Sequence, residues 1–521
     1  MEKSIFTKRQ VVFIFMGLMA SLLLYALDST VVSTAMKAIT GELNGTQLYS
    51  WPFTAYMLCS TVIIPISGGV SDLRGHKPVF LSGIIIFLLG SMLCGLSNSM
   101  IELIVCRGIQ GIGGGIIVSG VFTVVADLFP PNQRGKYTGL VTSMYGVASI
   151  IGPLAGGLIT DHLGWRWIFF LNIPLGIIAA CLIAFNLPEN APECKKKADI
   201  LGIVTLAFAL IPLLLAFSMV GSYFDWVSVP FWSMIFASTL LLIVFGFLET
   251  KAENPVVSMS YFKDRAISFS LLMSFLNQAL MFAVILYLPY FIQSVMGATA
   301  TISGMVITPM MVGLLLASNL AGQLISRIGK CRLLSIGSFI LTAIGMFLLS
   351  RIDSATAYVN VILYAAITGF SVGINMPISN VNAQNSVSRE KIGGITSSVM
   401  FFKNLGRTIG SAVFGAVLTN SMSYGFAGLD ISYLPSSVQA LLQNPETLTN
   451  TQVMKAVQTQ VPSAYIPYFN DTLQQSKLIL QSSVTNIFKV GMVIALVSAF
   501  LMIFLKEAPI QKSKKNSTFL E

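Results

Sequence analysis

Long uncharged apolar runs recur from one end of this chain to the other. A helix needs about 17–25 residues to cross a bilayer. About fourteen runs reach that length, at 11–35, 50–70, 79–97, 101–126, 137–160, 167–187, 200–220, 229–248, 266–293, 302–325, 333–350, 356–380, 395–419 and 483–506. Of the 521 residues, 55% are hydrophobic and 10% charged, whereas a soluble domain carries about 25% charged residues. Mean hydropathy is +0.79. A soluble protein is excluded, and the expected fold is an all-α integral membrane protein. The first run is too long for a cleaved signal peptide and reads as a retained span.

Charge placement tests this count. With the N-terminus inside, 22 of the 31 Lys and Arg residues fall on the cytoplasmic side, 5 outside and 4 within spans. Basic residues collect in cytoplasmic loops, and one missed span would reverse every later loop. Both termini are therefore expected in the cytoplasm. The same bias accounts for the formal net charge of +10 without a nucleic acid or other acidic partner. The six cysteines are scattered and show neither a disulfide framework nor metal-ligand spacing.

Inside the first run stands a carboxylate, Asp28, in "SLLLYALDSTVVSTAM". An acid at the centre of a span costs roughly 2.5–3.5 kcal/mol. Asp28 is the only acid deep in any run, and Ser21, Tyr25 and Asp28 share one helical stripe. A carboxylate balanced between desolvation and a nearby cation can be loaded with a proton on one side and unloaded on the other; the plainer reading is an acid that tethers a neighbouring helix. Arg107, in the fourth run, lies roughly 9 Å below the outer surface and Asp28 about 13 Å at 1.5 Å per residue, so the two can pair. Lys403 and Arg407 stand one turn apart in "FFKNLGRTIG", roughly 12 and 18 Å from the cytoplasmic end. One deep acid against three deep bases predicts an electropositive cavity that disfavours dications and tolerates neutral, zwitterionic or anionic amphiphiles. Tyr25, Asn277, Gln278, Met281, Met305 and Asn375 are the further candidates for lining it, since Met-rich walls adapt to varied ligands.

The chain also repeats itself. "GGVSDLRGHKPVFLSG" at 68–83 resembles "GQLISRIGKCRLLSIG" at 322–337, with glycines at a constant offset of 254. Gly152 and Gly157 match Gly410 and Gly415 at an offset of 258. Six helices, repeated as six more with two between, predict a bundle at 1–190, a linking pair at 191–264 and a second bundle at 265–521. Duplicated bundles of this kind are the construction of secondary transporters. The polar segment 420–482 is expected outside as a helical hairpin or a loop.

The motifs resemble those of a known family. "SGGVSDLRGHK" is similar to the signature loop of the major facilitator superfamily. "LDSTVV", "RGIQGIGGG", "GVASIIGPLAGG" and "WRWIFFLNIPLG" resemble its branch of 14-helix drug:proton antiporters (EmrB/QacA type), over nearly the whole chain. The resemblance implies a major facilitator fold of 14 helices (6 + 2 + 6) and proton-coupled multidrug efflux from a plasma membrane, that of a bacterium by analogy. It implies coupling at Asp28 and a conformational latch at Asp72, Lys77 and Arg134. It also implies an antiporter hinge at Gly146, Gly152, Pro153, Gly156 and Gly157; the plainer reading of those glycines is close helix packing. Leu73 and His76 stand where the family commonly has Arg. No nucleotide-binding G-x-x-x-x-G-K-[ST] sequence occurs, so no cofactor is expected and an ion gradient is the energy source. Small amphipathic substrates and the lipid bilayer are the expected partners, and a monomer the expected unit. An exporter of a lipid or lipid precursor on the same scaffold is the second reading, and a non-transporting membrane sensor the third. An enzyme is not expected, because no catalytic pair lies in the spans.

Overall fold

In lipid every backbone N–H and C=O must find a partner within the protein, and a helix meets that demand within one segment. The computed structural model of the chain is accordingly helical throughout. It describes residues 8–45, 48–128, 131–188, 199–220, 224–252, 255, 259–328, 331–387, 392–429 and 466–504. The first part of the chain forms α1 (Lys8–Glu42), α2 (Trp51–Arg74), α3 (His76–Leu96), α4 (Met100–Leu128), α5 (Pro131–His162), α6 (Arg166–Phe170) and α7 (Asn172–Asn186). A pair follows, α8 (Ile200–Met219) and α9 (Val229–Lys251). The last part forms α10 (Arg265–Ser294), α11 (Ala300–Ile328), α12 (Cys331–Leu349), α13 (Tyr358–Asn385), α14 (Ile392–Ala427) and α15 (Ile466–Met502).

Ten of the described helices are long and apolar enough to cross a membrane. α5 and α14 are long enough but rich in Gly, Ser, Thr and Asn, as suits helices packed inside a bundle rather than against lipid. Local signals set several ends. Asp199 caps α8 by accepting from Gly202 N at 2.9 Å, and Asp264 caps α10 by accepting from Ala266 N at 2.7 Å; such caps satisfy the orphan donors of a first turn. Gly75 holds φ 87° between α2 and α3, a backbone state that suits only glycine.

The structure modifies two expectations. The sixth apolar run is broken at Leu171 into α6 and α7. The polar segment 420–482 is partly helix, since α14 continues to Ala427 and α15 begins at Ile466; the expected hairpin between them lies outside the described residues.

The internal repeat reappears as packing. Gly152 of α5 lies against Thr30 of α1, where a Cβ would stand 2.0 Å from Oγ1, and Gly157 lies against Ala300 of α11, where it would stand 2.5 Å from the carbonyl oxygen. The matching glycines of α14 repeat the scheme: a Cβ at Gly410 would stand 2.8 Å from Ala279 Cα of α10, and one at Gly415 would stand 2.3 Å from Ser50 Oγ at the start of α2. Each glycine helix therefore joins a helix of its own half to a helix of the other. The glycines of "RGIQGIGGG" do similar work in α4. A Cβ at Gly111 would stand 2.3 Å from Tyr56 O of α2, and one at Gly113 would stand 2.3 Å from Phe87 N of α3. This is close helix packing through small residues, not a nucleotide loop.

Hydrogen bonds between the two halves gather at the end where α1 finishes. Lys37 Nζ donates to the Gln293 carbonyl, and Gln293 Nε2 donates to Thr34 O at 2.8 Å. Tyr49 donates to Leu286 O at 3.0 Å, and Thr54 and Ser411 share a hydrogen bond of 3.3 Å. At the rim Asp161 accepts from Ala300 N at 3.2 Å and Thr301 N at 2.7 Å. This end of the interface is closed.

Candidate functional site

α1 and α4 cross so that the two depth-matched residues meet. Arg107 Nη1 donates to Asp28 Oδ2 at 2.6 Å. Arg107 is 0% and Asp28 3% exposed, so the pair is shut away from solvent in this conformation. The carboxylate has further donors on its other oxygen: Gln110 Nε2 at 2.8 Å and Asn172 Nδ2 at 3.0 Å. Gln110 Oε1 also accepts from Arg107 at 2.8 Å. Asn172 donates in addition to Ser91 Oγ at 3.0 Å, and Ser91 donates to Phe169 O at 2.8 Å. A buried ion pair persists only when hydrogen bonds serve its remaining lone pairs, and α4 and α7 supply them here.

Arg107 is less completely served. Its Nε and Nη2 have no hydrogen-bond partner among the described residues. Its guanidinium lies 4.1 Å from the centroid of the Tyr56 ring, and an aromatic face attracts such a cation. Tyr56 in turn lies 5.9 Å from Tyr25, and Tyr25 6.2 Å from Tyr145 of α5. Beyond Tyr145, at 6.0 Å, is the guanidinium of Arg407 on α14. A chain of three aromatic rings thus joins the ion pair of one half to the cation of the other.

Arg407 Nε donates to Gln278 Oε1 of α10 at 3.0 Å, and Asn277 Nδ2 donates to Val372 O of α13 at 3.2 Å. Tyr25, Asn277, Gln278, Met281, Asn375 and Lys403 are all buried. Met305 is not part of this interior. It is 53% exposed and shares an outward stripe of α11 with Val312, Leu316, Leu320 and Leu324; the expectation that it lines a cavity is corrected. An apolar stripe at helical spacing on the outside of a bundle is where lipid sits.

Gly146, Gly152, Pro153, Gly156 and Gly157 all lie on α5. Gly152 and Gly156 face α1, while Gly146 and Gly157 face α11. Pro153 is interior to a continuous helix, and its carbonyl oxygen would stand 2.1 Å from a Cβ at Gly304 of α11. Of the latch residues, Lys77 is half-buried in the first turn of α3; the side chains of Asp72 and Arg134 lie outside the described residues. Sequence reasoning missed Gln110, Asn172, Tyr56, Tyr145 and Asp161. A signal existed for Gln110, which follows Arg107 by three residues and so shares its helix face.

A helical bundle that holds a buried ion pair and is closed at one end against the second set of helices has the form of a membrane transporter. The family model of the Major Facilitator Superfamily matches residues 18–411. The chain belongs to the major facilitator superfamily: it is a secondary transporter, a multi-pass protein of the plasma membrane, and needs no cofactor. It is 37% identical over 515 residues to the multidrug transporter protein MdtP of Bacillus subtilis (strain 168), covering 96% of this chain and 94% of that one. It is 32% identical over 503 residues to multidrug resistance protein 3 of the same organism, covering 96% of each. Its fold is similar to a bacterial homolog of the human lysosomal transporter Spinster in an inward-facing, unoccupied conformation, with TM-score 0.64, 14% identity and coverage of 95% of this chain and 97% of that one. A D-xylose–proton symporter matches with TM-score 0.62, 14% identity and coverage of 96% and 98%.

Proposed function

We propose that the chain is a proton-coupled multidrug antiporter that exports amphipathic small molecules by alternating access. Fourteen helices cross the membrane as 6 + 2 + 6, with both termini in the cytoplasm, and a monomer suffices. The names of the two Bacillus relatives support the multidrug reading, and the charge bias supports the topology.

One observation carries the coupling: the Asp28–Arg107 contact of 2.6 Å in a solvent-free interior. Protonating Asp28 removes the charge that Arg107 answers. Breaking a buried pair so that one charge stays behind costs about 3–5 kcal/mol. Moving a two-state equilibrium from 1:99 to 99:1 takes about 5.5 kcal/mol. A single proton at Asp28 therefore supplies most of the energy needed to exchange one bundle arrangement for another. Since the carboxylate is paired and enclosed here, a proton taken up from outside in the alternate arrangement must be released to the cytoplasm before the pair re-forms. In this reading the glycines of α5 form the surface on which α1 and α11 shift, and Asp72, Lys77 and Arg134 latch the cytoplasmic side.

The test is transport by Asp28→Asn in liposomes with an imposed pH gradient. The variant should insert and fold yet lose gradient-driven efflux. Undiminished efflux would refute the assignment.

A further inference from the structure

Two interior cations of α14 have no acid paired with them among the described residues. Lys403 is 8% exposed and Arg407 is half-buried, one turn apart on the same face. Arg407 donates through Nε to Gln278, which leaves its two terminal nitrogens without a hydrogen-bond partner among the described residues. Lys403 likewise has none. Gln278 is 1% exposed, and its Nε2 is a buried donor without a partner. Guanidinium and amide donors thus meet where Arg407 and Gln278 join, with the Lys403 ammonium one turn away on α14. Phe282 lies 5.6 Å and Tyr145 6.0 Å from the Arg407 guanidinium, so the donors adjoin an apolar wall contributed by both halves. Buried charge left unpaired in a membrane is costly and marks a substrate pathway. A guanidinium with a free edge matches a carboxylate, sulfonate or phosphate in two-point contact.

We propose that Arg407, with Lys403 and the Gln278 amide, forms the subsite for the negatively charged group of an amphipathic substrate, whose apolar body lies against Phe282 and Tyr145. The substrate class of the exporter is therefore amphipathic organic anions. This subsite presupposes the export reading above and deepens it by naming the cargo.

The test uses the full chain in phosphatidylcholine nanodiscs and three probes with one fluorophore and similar tethers: dansyl-γ-aminobutyrate (negative), its methyl ester (neutral) and dansylcadaverine (positive). Equilibrium binding is read by fluorescence. The carboxylate should bind about tenfold or more tightly than the ester or the amine, the scale of a charge-assisted hydrogen bond. Arg407→Gln should lower carboxylate affinity to that of the ester and leave the ester unchanged, and Lys403→Met should remove part of the preference. Equal or tighter binding of the amine by the wild type overturns the proposal. So does the absence of saturable carboxylate binding, or a preference that survives in Arg407→Gln. Should Arg407→Gln lose ester binding through misfolding, Arg407→Lys, which keeps the charge without the planar fork, and the wild-type ranking decide. Competition by phosphatidylglycerol placed in the disc would assign the anion to a lipid headgroup; its absence assigns it to a soluble amphiphile. Asp28→Asn should retain the charge preference in this gradient-free assay, so a failure of the coupling assignment shows in transport alone.

Discussion

Removing the Asp161 carboxylate should open the outer end of the transporter. Asp161 closes α5 of one half against the first turn of α11 in the other, accepting from Ala300 N at 3.2 Å, from Thr301 N at 2.7 Å and from the Thr301 hydroxyl. It acts as a helix cap supplied across the interface. Losing an N-cap costs about 1 kcal/mol, and a negative charge at a helix N-terminus contributes about 0.3–1 kcal/mol. Asp161 is exposed, so water and salt screen the ionic part. A total of about 1–2 kcal/mol follows for Asp161→Ala, which is roughly a 5- to 30-fold shift in population toward the outward-open arrangement. Asp161→Asn keeps an acceptor but no charge and should shift it less. The assay is a pulsed electron–electron distance measurement between spin labels at Leu163 and Val359, both exposed, in a cysteine-free background. A new long-distance population should appear in Asp161→Ala and shrink back toward wild type in Asp161→Asn. An Asp161→Ala distribution that matches wild type would show that the contact does not hold the end closed.

The same label pair tests the glycine contact. Gly304→Ala places a Cβ against Pro153 O, at 2.1 Å in the present arrangement, which the backbones cannot accommodate without separating; over-packing of this kind costs about 1–3 kcal/mol. The closed population should fall, and a distribution unaltered by the substitution would mean that α5 and α11 need no such approach. Met305→Leu should leave export of every substrate within twofold of wild type, because the side chain faces lipid; an altered substrate profile would return Met305 to the cavity.

The spans were legible because lipid imposes a length and a composition that a run of residues either meets or does not. The ion pair was legible because Asp28 and Arg107 carry charge where charge is costly, and a fixed rise per residue converts position into depth. Counting from the outer surface placed them within one turn, and they meet at 2.6 Å. What was not legible shares a different property. Asn172 is an uncharged amide in an apolar run and reaches Asp28 from the break between α6 and α7, which periodicity did not announce. Met305 is chemically suited to either side of a helix wall; only the neighbours of α11 decide which side it faces. Asp161 stands at a helix end, where acids are ordinary, and its partner lies 140 residues away across the interface.

The two polar sites also constrain each other. If Arg407 holds an anion while Asp28 carries a proton, direct electrostatics favours having both at once, since the anion offsets the positive charge that protonation of Asp28 leaves unanswered on Arg107. Exchange of proton for substrate needs the opposite sign. The aromatic chain through Tyr56, Tyr25 and Tyr145 sets the scale of this conflict. Charges on the order of 15 Å apart interact by about 1 kcal/mol at an effective dielectric of ~20. Breaking the Asp28–Arg107 pair is worth about 3–5 kcal/mol. The larger quantity belongs to the arrangement of the bundles, not to the distance between the two charges. Coupling in such a molecule must therefore run through which end of the interface is closed. Export of the anion would also draw directly on an inside-negative membrane potential, which acts on each charge that crosses by about 2.3 kcal/mol per 100 mV.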